Sequence, residues 1–271
     1  MNIPSSQSKI FSVLYVIFLF TISNLTAQTP GMIIKPALAP GNSILDPDLD
    51  GYVSQKTNGV QLGFTIPPDN DVATSEIPYV AIIRPDPLND ILRGPVGGFI
   101  EIVGVDAAGN NAILIYRDAT NLFVRFRMGG YAPNSKSYSL MIDTDSKFGF
   151  TGLNADPNAM TGNPGFEAEI VLETNFNIKA YNVNGTTTPV EVASFSYDYN
   201  CQKSMAVSNA GGDPDYFYDF YIPLSSISTL FTSSTPLRIV AITVMNPHPA
   251  IGNNALSDVG GGNSGNNIDQ I

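Results

Sequence analysis

Short apolar runs broken by turn residues organise this chain. "NLFVRFRM" (121–128) alternates strictly: Leu122, Val124, Phe126 and Met128 share one face of an extended strand, and Phe123, Arg125 and Arg127 the other. One face belongs to a core, the other to solvent or acidic neighbours. "FEAEIVL" (166–172) likewise sends Phe166, Ala168 and Ile170 one way and Glu167, Glu169 and Val171 the other. Comparable runs are "YVAIIR" (79–84), "GFIEIVGVD" (98–106), "NAILIYR" (111–117), "SYSLMID" (137–143), "NIKAYNV" (177–183), "DYFYDFYI" (215–222) and "LRIVAITV" (237–244). Gly, Pro, Asn and Asp clusters separate them, and Asn184-Gly185 tolerates the positive φ of a two-residue hairpin turn. Helical periodicity is nearly absent. The pattern predicts an all-β sandwich or barrel of about ten strands, enough for two packed antiparallel sheets.

The ends read differently from the middle. Lys9, then the 13-residue apolar run "IFSVLYVIFLFTI", then polar "SNLTAQTP" describe a secretory signal peptide cut near Ala27. The run is shorter than the ~20 apolar residues of a membrane span. The expected mature form is therefore secreted or held at the cell surface without spanning a membrane. Residues 28–58 read as an extended lead-in with an acidic loop, 59–255 as the sandwich, and the Gly/Asn-rich 256–271 as a linker or tail. A monomeric module, part of a larger protein, is the expectation.

Charge narrows the partners. The chain carries 24 acidic against 13 basic residues and has no basic patch, which argues against nucleic acid. Acidic excess in an exported protein points to solubility or bound cations. The single cysteine, Cys201, has no partner for an internal disulfide and reads as a small buried hydrophobe.

Candidate chemistry concentrates in acidic loops. In "DPDLDGYVSQKT", Asp46, Asp48 and Asp50 alternate ahead of Gly51, as at the opening of a calcium loop. Thr57 stands where that loop needs a bidentate Glu, and prolines replace its flanking helices, so it is no EF-hand. Asp71 and Glu76 of "PPDNDVATSEIPY" are candidates to complete the ligand set. A second loop, "MIDTDSKFGFTGLNADPNAMTGNPGFEAEI", is long enough to need pinning, and calcium on Asp143, Asp145 and Asp156 would do it. Solvated turns in which aspartates cap backbone amides are the alternative in both places.

"GGDPDYFYDFYIPLSSI" places Tyr216, Tyr218 and Phe220 on one face of a strand and Phe217, Asp219 and Tyr221 on the other. One row belongs to the core; an exposed one among Tyr216, Tyr218 and Tyr221 would offer a flat apolar face for stacking sugar rings.

"AILIYRDATNLFVRFRM", "MIDTD", "GFEAEIVL", "YDFYIPLSSI" and "LRIVAITVM" together resemble the family 9 carbohydrate-binding module and its DOMON-like β-sandwich relatives. "DLDGYVS", "SEIPY" and "NPGFEAEI" are similar to N-terminal modules of Bacteroidetes surface proteins, many of them type IX secretion cargo. The resemblance implies a jelly-roll-like sandwich with structural calcium and, in the carbohydrate-binding branch, sugar held between aromatic rings. That branch uses tryptophan for the purpose, and this chain has none.

Catalysis finds little support. His248, the only histidine, lies between two prolines. Glu167 and Glu169 are about 6.5–7 Å apart along a strand, a glycosidase-like separation, but on one element rather than facing each other across a substrate. The expected function is a non-catalytic, calcium-stabilised module for surface adhesion or recognition of a glycan or surface polymer. A structural spacer is the alternative, and a glycoside hydrolase a remoter one.

Overall fold

The computed structural model describes residues 56–57, 60–61, 79–83, 86–88, 90–95, 97–104, 111–205, 213–261 and 267–271. Thirteen strands follow in chain order: β1 (Lys56–Thr57), β2 (Val60–Gln61), β3 (Val80–Ile83), β4 (Ile113–Arg117), β5 (Asn121–Met128), β6 (Ser137–Asp143), β7 (Ala168–Glu173), β8 (Asn177–Asn182), β9 (Val190–Ser196), β10 (Cys201–Met205), β11 (Tyr216–Pro223), β12 (Arg238–Val244) and β13 (Leu256–Val259). Among the described residues, β1 and β2 form a two-stranded sheet of their own. The rest form two antiparallel sheets, of five strands in the order β10-β11-β5-β4-β3 and six in the order β13-β12-β6-β7-β8-β9. This is a two-sheet β-sandwich.

Period-two alternation builds the layer between the sheets. Leu122, Val124, Phe126 and Met128 of β5 meet Tyr218, Phe220 and Ile222 of β11 on one side; Leu140, Ile142, Ala168, Ile170, Ile178 and Ala180 come from the other. Tyr138 and Tyr218 cross edge-on at 5.1 Å, and the Tyr218 hydroxyl accepts from the Ala132 amide at 2.8 Å. Each buried ring thus satisfies its polar end.

The opposite face of β5 is not solvated. Arg125 and Arg127 are buried, and the register places Asp219 opposite Arg125. Arg125 donates from Nε to Asp219 Oδ1 at 2.6 Å and from Nη2 to Oδ2 at 3.0 Å; Arg127 donates to Asp215 at 3.3 Å. Phe217 lies between the guanidinium groups, 4.2 Å from one and 5.2 Å from the other. Of the two environments the alternation left open for these arginines, solvent or acidic neighbours, the structure shows the second: Asp219 by strand register and Asp215 from just before β11.

Some segments depart from expectation. Within 98–106, residues 97–100 form a turn and Ile102 and Gly104 make isolated bridges to Met128 and Asp86. The segment crosses from one sheet towards the other, and its backbone passes so close to β5's end that a Cβ on Gly129 would sit 2.7 Å from the Gly97 carbonyl carbon. Asn184-Gly185 does turn, with Gly185 at φ +61°, but residues 183–189 all intervene between β8 and β9, so the turn is not a two-residue hairpin. Within the segment read as a linker or tail, Leu256–Val259 form β13, hydrogen-bonded to β12, and Ile268 is buried. Ile251, Leu256, Val259 and Ile268 cover the outer face of the six-stranded sheet around Met141, Val171 and Tyr181.

Candidate functional site

Asp46, Asp48, Asp50, Asp71 and Glu76 lie outside the described residues, as does the expected signal peptide. No helix among the described residues is long and apolar enough to cross a membrane.

Of the second acidic set, Asp143 and Asp145 come together, joined by Glu167: one oxygen from each lies within 4.8 Å of the others. β6 ends at Asp143, whose Oδ1 accepts from the amides of Asp145 and Ser146 at 3.0 and 2.8 Å, while Oδ2 meets Arg238. Glu167 Oε2 takes the Thr144 amide at 2.6 Å. Burial, reinforced by Asp143 and Asp145, raises the Glu167 carboxyl to about 7. The cluster is thus largely occupied by backbone amides and one guanidinium.

Asp156 does not join it. Its Oδ1 accepts from the Asn158 amide at 2.6 Å within its own turn. The side chain that pins this long loop is Asn163, which no pattern in the sequence marks. Its Nδ2 donates to the carbonyls of Phe166, Val183 and Thr186, and its Oδ1 accepts from the amides of Gly165 and Phe166. A neutral amide offers donors and an acceptor together, which no carboxylate can.

Glu169, next on the same strand face as Glu167, is fully buried; it accepts from Ser139 Oγ at 2.6 Å and from the amides of Ala250 and Ile251 at 2.5 and 3.2 Å. The loop carrying His248 therefore lies over Glu169. His248 itself is exposed. Cys201 is buried, with its thiol pushed up by desolvation.

A third acidic cluster has no signal in the sequence. Asp86, Asp90 and Asp258 each present an oxygen within 4.8 Å of the others. Two distant segments supply them: Asp86, which bridges to Gly104, and Asp90, just before the bend at Leu92, come from one, and Asp258 of β13 from the other. The Leu92 amide donates to the Ser257 carbonyl at 2.8 Å, the Ile102 amide to Asp258 Oδ2 at 2.6 Å, and the Gly261 amide to Asp86 Oδ1 at 2.5 Å. Asp86 is 3% exposed, and its Oδ2 has no hydrogen-bond donor; neither do the two solvent-shielded oxygens of Asp90. Burial, with the mutual charge of these groups and of Glu101, raises Asp86 to about 7 and Asp258 to about 9.

The three tyrosines have separate fates. Tyr218 is in the inter-sheet core, so it cannot present its ring to a ligand. Tyr221 is partly buried in a cross-strand row with Phe123 and Tyr116, successive rings 6.0 Å apart. Tyr216, partly buried at the start of β11, meets Tyr131 edge-on at 5.7 Å and 68°. Tyr131 is 46% exposed and has the Lys203 ammonium 3.7 Å from its ring centre. Tyr131 lies in the connection after β5, outside any strand pattern, so alternation gives no hint of its role.

Compared with protein-family models, curated proteins and solved structures, the chain matches none.

Proposed function

We propose that this protein is an exported, non-catalytic β-sandwich module that recognises a glycan or related surface polymer. The observation that carries the reading is the pairing of exposed Tyr131 with partly buried Tyr216 at the five-stranded sheet, with the Lys203 ammonium over the Tyr131 ring. Two rings at a steep angle offer an apolar face and an edge to the C–H side of a sugar, and their hydroxyls and the ammonium supply polar contacts. Calcium would be a structural ion in such a module, not a reactant. The burial of Glu169 under the 248–251 loop favours binding over glycoside hydrolysis.

The test is retention on a panel of polysaccharides, with Tyr131→Ala and Tyr216→Ala beside the parent. Tyr131→Ala is expected to abolish retention and to move stability by no more than about 0.5 kcal/mol, as befits a surface position. Retention unchanged in both variants, or absent for the parent on every polymer, would leave the spacer reading in its place.

A further inference from the structure

We infer that Asp86, Asp90 and Asp258 form a binding site for one hard divalent cation of the calcium class, which fastens the 86–104 segment to the last strand of the sandwich. The inference is independent of glycan recognition.

Three observations converge on it. All three carboxylates reach a common point, with oxygens within 4.8 Å of one another, a spread that fits around an ion with metal–oxygen distances of about 2.3–2.6 Å. The donor set is oxygen only: these carboxylates have no histidine or thiol among them, which suits calcium better than zinc. Asp86 is nearly sealed from solvent while its Oδ2 accepts no hydrogen bond, and half-buried Asp90 turns two solvent-shielded oxygens to the same place. A buried ionised carboxylate lacking a donor is costly unless it is paired or coordinates a metal.

The surroundings orient the free oxygens. The Gly261 amide takes Asp86 Oδ1 and the Ile102 amide takes Asp258 Oδ2, so backbone donors hold the outer side of two ligands. Such supporting contacts tune a coordinating group as much as the ligands themselves do. Glu101, buried nearby, adds to the negative field at Asp86 and Asp258. Without a cation, three carboxylates this close repel one another.

The full chain is stripped with chelator, and melting is followed with calcium, magnesium or chelator; bound metal is counted by elemental analysis. A hundredfold excess of calcium over Kd is expected to raise Tm by about 5–10 °C, and magnesium by less. Asp258→Asn and Asp90→Asn should each lose that shift and one bound ion, yet melt no lower than the parent in chelator, because a like charge has gone. Asp48→Ala and Asp145→Asn should keep the shift. If one of the cluster variants fails to fold, the other decides. A full-sized shift in both cluster variants would place the ion elsewhere, and identical parent curves in calcium and chelator with no stoichiometric metal would mean a protonated cluster; either overturns the proposal.

Discussion

Replacing Arg125 with Met isolates the contribution of charge on the outer face of the five-stranded sheet. Arg125 and Asp219 are both 0% exposed, joined through two hydrogen bonds of 2.6 and 3.0 Å, and the guanidinium packs on Phe217 at 4.2 Å. Methionine fills much of the arginine stem's volume but leaves the Asp219 carboxylate buried without its counter-ion. Breaking one side of such a pair costs about 3–5 kcal/mol, because the remaining charge keeps its desolvation penalty. For a domain of this size that is a fall in Tm of roughly 10 °C. Asp219→Leu alone strands the guanidinium and should cost a similar amount. The double variant, an apolar pair of comparable volume, should recover most of the loss. Urea unfolding of all four proteins gives the cycle, and urea avoids the ionic screening that guanidinium would bring. With single costs of about 3–5 kcal/mol each and most of the loss recovered in the double variant, the expected coupling is at least about 5 kcal/mol. Single costs that simply add, within about 0.5 kcal/mol, would refute the view that the two side chains act as a buried unit.

Two further predictions concern the loops. Asn163→Leu strands three carbonyls and two amides that Asn163 now satisfies, costing roughly 2–4 kcal/mol; amide exchange should speed up across 144–166, and unchanged protection there would remove Asn163 as the pin. Glu169 is raised by burial to about 7 from the ordinary glutamate value of 4.5. The folded protein thus holds a proton that the unfolded chain has released, so this group's stabilisation is full below about pH 4.5 and is lost as pH rises through about 7. Glu169→Gln should flatten the stability–pH curve over that window, measured in calcium; a curve parallel to the parent's would count against the assignment.

The inner strands are legible in the sequence because each turns one row of alternate apolar side chains to the layer between the sheets, and alternation is a local property; that β5, β6 and β7 are buried on both faces is not. "NLFVRFRM" and "SYSLMID" form β5 and β6 with the bounds their patterns predict. β9, β10 and β13 are not legible in this way. All three are sheet edges, and "VEVASFS", "CQKSM" and "LSDV" carry too few apolar residues in register to stand out. An edge strand is selected by the backbone hydrogen bonds its neighbour offers, and those exist only once the sheet has formed. The same reason separates the acidic sites. Asp143 and Asp145 are close in sequence and attract attention for it; Asp86 and Asp258 are 172 positions apart and meet only because β13 closes the sheet beside the 86–104 segment. Sequence alone determined the fold class and the sidedness of the central strands, and left the face of Arg125 and Arg127 open between solvent and acidic partners. Tertiary structure decided which acids those were, which tyrosine stayed exposed and where carboxylates converge, since each depends on register between strands distant in the chain.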